Sequence, residues 1–349
     1  MRRVLVGMCF GVIALLAGED AQAKSPKAWL GLAVGQAAAT ETLLGADLAA
    51  LFADSSELRV LPVLGDAGAG NLAALTENPG MDLAFVSSRA LAEAARSDPD
   101  LVSKLELVVR LPPQEIHLLA RRDIATVADL AGKEVSFGPV GSASAASGTA
   151  LFAALGIAIH ERPLDPAAAL TRLKEGTLAG ALFVGGKPYP QIEAAPIGAG
   201  LHLLPIPFDA ALDAAYLPAE LSADDYPNLI PQGQRVETVA TGMLLLACPK
   251  GEDARQRIER FTAAFFSRFA ELKAEGRHPK WREVNLAATL PGLKRTRIAE
   301  TWLAERSEPE VKAVAASAAA PPATTAIMGK EEREALFKRF LEWQRSKER

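Results

Sequence analysis

Cysteine is nearly missing from this chain of 349 residues, which has only Cys9 and Cys248. Cys9 falls in an apolar N-terminal stretch that reads as a removable leader. The processed chain then keeps one thiol and can form no internal disulfide, so its core must hold itself. Histidine is equally sparse: His117, His160, His202 and His278 stand apart, with no His-Glu-x-x-His and no Cys/His cluster. That spacing excludes the familiar metal sites, and no metal is expected. A Gly-x-Ser-x-Gly nucleophile elbow is absent. Gly186-Lys187 resembles the end of a P-loop, but Ala181 stands where the first glycine belongs and Pro188 where Ser or Thr belongs. Gly65–Gly70 has the wrong glycine order for a dinucleotide fingerprint. No nucleophile, base and metal come together, so neither an enzyme nor a cofactor is expected.

An excess of positive charge is also lacking, since the formal net charge is -4. Removing Met1–Ala23 takes away Arg2, Arg3, Glu19 and Asp20, which cancel. The mild acidity argues against nucleic acid or an anionic membrane surface as the main partner. Aromatics make up 6% of a chain that is 49% hydrophobic, so the interior is filled by alanine and leucine. No internal repeat and no second long apolar run is visible.

What is present begins with the leader. Arg2 and Arg3 form a charged region, Val4–Ala17 an apolar stretch, and Ala21-Gln22-Ala23 a small-residue cleavage site. These three parts predict a signal peptide over residues 1–23, a mature N-terminus near Lys24 and a periplasmic location. The apolar stretch is too short for a membrane span.

Beyond the leader, short apolar runs alternate with helical segments. Strands are expected at Ala28–Val34, Glu57–Val63, Leu83–Val86, Leu105–Arg110, Ile116–Ala120, Val135–Phe137, Ala181–Val184, Leu201–Ile206 and Thr241–Cys248. Helices are expected at Thr42–Ala53, Arg89–Ser97, Thr149–Leu155, Ala168–Glu175, Ala210–Ala215 and Asp253–Glu275. The rhythm predicts an α/β fold with largely parallel sheets. Ile258, Phe261, Phe265, Phe266 and Phe269 mark the last helix as core-packing. Asp224–Gln234 reads as a polar loop. Residues 306–329 are an alanine-, proline- and threonine-rich linker, and 330–349 a charged amphipathic helix. That helix either docks on its own body or binds a partner; both readings stand.

The most informative stretch is Ala128–Gly156. A strand ends in the turn Gly138-Pro139-Val140-Gly141, and Ser142, Ser144, Ser147 and Thr149 open a helix. Such a helix N-terminus offers free backbone N–H groups and a positive dipole end, suited to a carboxylate or phosphate. An ordinary turn capped by serines explains the same residues. Gly35–Thr40, Gly65–Asn71 and Ser87-Ser88-Arg89 are further strand-to-helix loops, and such loops converge on ligands in open α/β sheets. Arg89 is either a carboxylate partner there, a solvated charge, or half of a structural pair with Asp82 or Glu93.

The order of Gly65–Leu75 (GDAGAGNLAAL), Met81–Ala90 (MDLAFVSSRA), Asp129–Ser144 (DLAGKEVSFGPVGSAS), Ala181–Pro188 (ALFVGGKP) and Asp225–Leu229 (DYPNL) resembles the TAXI-type solute-binding proteins of tripartite ATP-independent periplasmic (TRAP) transporters. The resemblance runs from about Trp29 to Trp302. It implies the type-2 periplasmic binding architecture, two α/β lobes joined by two crossover hinge strands around Ile116–Ala120 and Val236–Leu246. Lobe one would be 27–116 plus 242–305, and lobe two 117–241. It further implies a monomer that closes over a small organic anion, a carboxylate or amino acid, and delivers it to the membrane subunits of a TRAP transporter. Ligand contacts are expected at Thr40, Asn71, Ser87 and Arg89 from lobe one, and at Ser142, Ser144, Phe183, Gly185 and Lys187 from lobe two. The chain departs from the family pattern in four places: no tyrosine ends the loop at Gly35–Leu44, Ser142-Ala143-Ser144 followed by Ala145 stands where the family has Ser-Gly-Thr and a larger polar residue, Ser87 stands where glutamine is common, and Lys187 replaces an apolar residue. A ligand sensor that docks on a membrane protein through its C-terminal tail is the alternative; an enzyme on the same lobes is the third.

Overall fold

The computed structural model describes residues 27–306 except 38, 195–199 and 213–214. The expected signal peptide, the linker from 307 onward and the C-terminal helix lie outside the described residues.

In chain order the elements are β1 (Trp29–Ala33), α1 (Thr40–Leu51), β2 (Arg59–Val63), α2 (Ala69–Glu77), β3 (Met81–Ser87), α3 (Ser88–Ser97) and β4 (Glu106–Arg121). Then come β5 (Glu134–Ser136), α4 (Ala143–Ala154), β6 (His160–Glu161), α5 (Pro166–Lys174), β7 (Gly180–Gly185), α6 (Pro190–Ala194), β8 (Leu201–Leu203) and β9 (Leu217–Ser222). β10 (Arg235–Ala247), α7 (Glu252–Ser267) and α8 (Phe269–Leu272) complete the set. The strands run in the order β2-β1-β3-β10-β4-β7-β5-β6, with β8 on β4 and β9 on β10.

Two strands make this a pair of α/β lobes. β4 is paired with β10 from Glu106 to Glu115 and with β7 from Glu115 to Ala120. β10 is paired with β9 from Arg235 to Ala240 and with β3 from Met243 to Ala247. Each strand therefore belongs to one lobe at one end and to the other lobe at its opposite end. They change partners side by side at Gln114–Glu115 and Ala240–Gly242, where the β4–β10 register slips between Thr241 and Met243. The expectation of two separate strands around Pro112-Pro113 is corrected: β4 runs through both prolines without a break. Neither ring needs an N–H there, because a register irregularity already interrupts the ladder.

The expected dominance of parallel pairing is also corrected. β1–β2, β1–β3, β5–β6 and β5–β7 are parallel, but every pairing of β4 or β10 is antiparallel. A chain that leaves a lobe on one strand and returns beside it must run antiparallel to itself there. β9, at residues where no element is expected from the sequence, follows the same logic. Its pattern of exposed and buried residues is that of an edge strand, too polar to stand out.

Lobe one packs α1, α2 and α3 with α7 around β1–β3. β3 is buried along Met81–Val86, and a continuous apolar run is what a strand covered on both faces requires. Ile258, Phe261, Phe265 and Phe266 of α7 are buried as expected. Phe261 stacks on Phe52 at 5.2 Å, and Phe265 meets Trp281 at 6.1 Å. The expected single helix to Glu275 instead breaks at Arg268, whose guanidinium grips Glu271 and the Leu51 carbonyl. Lobe two has two cores, one on each face of its sheet: Ile116, Phe137, Phe152 and Leu182 on one side, Leu119, Phe183, Tyr189 and Tyr226 on the other. Ala210–Ala215, read as a helix, shows only turns where it is described.

Candidate functional site in the cleft between the lobes

Lobe one presents its helix starts to the cleft. β1 and β3 both end there, so the first residues of α1 and α3 project beyond the sheet. Thr40 and Glu41 open α1, and Ser87 caps α3 by accepting a hydrogen bond from the Ala90 N–H at 3.1 Å. Arg89 is the second residue of α3. Its Nη1 pairs with Glu93 one turn on, while its Nε is buried with no partner among the described residues. Asp82, a possible partner by sequence, is taken by Arg257 through two hydrogen bonds of 2.7 and 2.8 Å. Asn71 is buried and donates to the Phe85 carbonyl at 2.9 Å, which ties α2 to β3.

From lobe two comes the turn 138–141 and α4. Gly141 has φ 78°, and a Cβ added there would stand 2.5 Å from Asp66 Oδ1 of lobe one. Only glycine meets both conditions. Ser142 is the N-cap of α4, accepting from the Ala145 N–H at 3.0 Å. Ser144 Oγ accepts from the Val184 N–H of β7 at 2.9 Å. Both hydroxyls that the sequence offers to a ligand thus serve backbone groups instead. What α4 turns to the cleft is Ala143, Ala146 and Ser147.

The lobes touch across the cleft. Thr40 Oγ1 accepts from the Gly186 N–H at 2.9 Å, and Gln36 Nε2 donates to the Val140 carbonyl at 3.2 Å. Gly185 lies under this contact; a Cβ there would come within 2.9 Å of Thr40 Oγ1 and 2.8 Å of Tyr189 Cδ2. Beside it, buried Lys280 pairs with Glu115 at 2.7 Å where β4 passes between the lobes. Burial raises the Glu115 carboxyl above its ordinary range and Lys280 pulls it back down.

Behind these contacts is a cavity of about 20 Å³, room for roughly one water. Glu41, Ser87 and Arg89 line it from lobe one, Ala143, Ala146 and Ser147 from lobe two, and Gln114, Thr241 and Met243 from the crossover strands. Thr241 is 3% exposed and its Oγ1 has no partner among the described residues. Glu41 is buried, and that desolvation raises its carboxyl above the usual range, opposed by its own backbone N–H and by the Gln114 amide. Gln114 Nε2 also points at Met243 Sδ, 3.1 Å away. The wall therefore combines one guanidinium, one carboxyl, an amide and the three hydroxyls of Ser87, Ser147 and Thr241, all largely screened from water. Unpaired buried polar groups are costly, which makes this a place that gains by taking a polar ligand.

Of the nine residues picked from sequence, Ser87 and Arg89 line the cavity, and Thr40 and Gly185 form the contact beside it. Asn71, Ser142 and Ser144 hold the loops in place. Phe183 is turned away: it is 1% exposed, lies in the far core of lobe two and packs on Tyr189 at 5.4 Å. Successive residues of β7 point to opposite faces, and Phe183 has the face opposite Leu182 and Val184. Lys187 is engaged within lobe two, reaching the Glu220 carbonyl at 2.8 Å and Asp225 at 3.2 Å. Glu41, Gln114 and Thr241 stand out in no sequence pattern, and Ser147 only as one of the serines that open α4. The available signal was weak: a lone carboxylate at the start of an apolar helix, and polar residues inside two otherwise apolar strands. Among the described residues no cluster of His, Cys, Asp and Glu suits a metal, and no helix is long and apolar enough to cross a membrane.

Residues 33–294 match the NMT1-like family, and the chain belongs to it. Among solved structures, the chain is similar to the periplasmic aliphatic sulphonate binding protein SsuA from Escherichia coli, at 20% identity and TM-score 0.39 over 74% of this chain and 82% of that one. It is also similar to a TctC solute binding protein from Polaromonas, at 15% identity and TM-score 0.41 over 73% and 86%. An ancestral arginine-binding protein bound to arginine matches at 15% identity and TM-score 0.43 over 73% and 96%.

Proposed function

We propose that this protein is an exported solute receptor that closes its two lobes over a small organic anion. One observation carries the reading: both lobes and both crossover strands wall a one-water cavity, which a ligand enlarges by parting the lobes, and in it Arg89 Nε and Thr241 Oγ1 are buried with no partner among the described residues. A guanidinium screened from water is a strong carboxylate partner, and a hydroxyl beside it completes the recognition of a small polar molecule. Contacts such as Thr40 to Gly186 exist only when the lobes meet, so ligand contacts that bridge the lobes favour the closed state. The wall brings no nucleophile and base together, and we read the site as binding without chemistry.

The TAXI-type motifs support delivery to a TRAP-type transporter from the periplasm, after cleavage near Ala23/Lys24. The direct test is mass spectrometry of small molecules released by denaturing protein purified from its native compartment. A stoichiometric carboxylate or amino acid is expected. Release of nothing, together with no calorimetric response to any small carboxylate, overturns the reading.

A further inference from the structure

We propose that Glu41 sets the specificity of the cleft by requiring a hydrogen-bond donor on the ligand, an ammonium ahead of a hydroxyl, beside the anionic group that Arg89 takes. This rests on the receptor reading above. Among the described residues, Glu41 and Arg89 are the only ionisable side chains that line the cavity, and both come from helix starts of lobe one. Glu93 also faces Arg89, but from the exposed side of α3 and outside the cavity wall.

The charge balance then follows from inventory. An anion seated at Arg89 brings a second negative group into the space that already holds the Glu41 carboxyl. Two carboxylates sharing a dry site repel each other, and burial already raises the Glu41 carboxyl, so a ligand bearing only acceptors binds at the cost of that repulsion or of Glu41 taking up a proton. A ligand that places a donor towards Glu41 removes the penalty and adds a charge-assisted hydrogen bond. Gln114 offers Glu41 a neutral amide N–H and Thr241 is neutral, so neither supplies the positive charge that would balance a carboxylate. The remaining lining atoms are apolar or hydroxyl. An α-amino acid supplies both groups on neighbouring atoms, an α-hydroxy acid supplies a weaker donor, and an α-keto acid supplies an acceptor.

The test is calorimetric titration of the purified protein with three matched sets. These are alanine, lactate and pyruvate; leucine, 2-hydroxyisocaproate and 4-methyl-2-oxopentanoate; and glutamate, 2-hydroxyglutarate and 2-oxoglutarate. In any set that binds, the amino acid is expected to be at least tenfold tighter than the hydroxy acid, and the keto acid weakest. Glu41→Gln is expected to bring the three within about threefold of one another, with the ligand-free melting temperature recorded as a control on folding. A keto acid that binds wild-type protein as tightly as its amino acid overturns the role of Glu41 while leaving the receptor reading intact. An order of preference that survives in folded Glu41→Gln does the same. If Glu41→Gln does not fold, the wild-type order alone decides. Binding of no member of any set overturns the receptor reading for small carboxylates, and the role of Glu41 with it.

Discussion

Replacing Ser144 by alanine separates a structural serine from a ligand-binding one. β7 is flanked by β5 only as far as Ala181, because β5 ends at Ser136. Beyond that point the outer edge of β7 has no strand beside it, and the N–H of Val184 is buried. Ser144, from the first turn of α4, takes the place of the missing strand by accepting that N–H at 2.9 Å. Alanine leaves a buried backbone donor unpaired, which costs about 1–3 kcal/mol. Spread over the unfolding entropy of a chain this large, that is a fall in melting temperature of roughly 2–5 °C. The assay is calorimetric or circular-dichroism melting of ligand-free protein. Ser142→Ala removes only a helix cap and should cost about 1 kcal/mol. A ligand-free Ser144→Ala protein that melts with wild type, while its affinity for ligand drops, would refute the assignment and restore Ser144 to the ligand.

Arg89→Lys should weaken binding of the co-purifying ligand about tenfold or more, since lysine cannot reproduce a bidentate guanidinium contact, and change the ligand-free melting temperature by little; unaltered affinity by calorimetry rules Arg89 out as a contact. Gly185→Ala puts a methyl within 2.9 Å of Thr40 Oγ1 and should hold the lobes apart. Weaker binding and a larger radius of gyration with ligand, by small-angle scattering, are the expected signs, and a wild-type radius contradicts them. Burial lowers His117 from 6.5 to about 3, so the unfolded chain takes up a proton that the folded chain refuses. Stability should then be lost as the pH falls below about 6.5, by up to about 1.4 kcal/mol per pH unit, and His117→Phe should flatten that slope. Parallel melting-temperature profiles for the two proteins would count against it. Intact-mass measurement on protein from the periplasm should give an N-terminus at or near Lys24, and membrane-retained full-length protein would contradict the leader.

The sequence alone determined where several of the elements lie, because local rules place them. Alternation of short apolar runs with capped helices marks β1, α1, β3, α3 and α4 to within a few residues. Glycines at 138 and 141 mark the turn that must bend, and the phenylalanine stripe marks the buried face of α7. Hydrophobic periodicity and turn chemistry act over a few residues, so they are written in the order of the chain. Pairing is not. Only the folded chain put β4 and β10 side by side across both lobes, made every strand pairing of those two antiparallel, and made β9 a strand by giving it β10 to pair with.

The site was decided at the same level. Arg89 could be picked from its place after β3, yet its freedom from Asp82 depends on Arg257, which stands 168 residues further along the chain. Ser144 looked like a ligand hydroxyl until β7 came beside it and left an N–H to satisfy. Glu41, Gln114 and Thr241 belong to three separate segments and carry no motif. They line one cavity only because the two crossover strands and the start of α1 meet at the cleft. A hydrogen bond or a buried charge is a property of what surrounds it, and those surroundings are assembled by long-range contacts that no local pattern records.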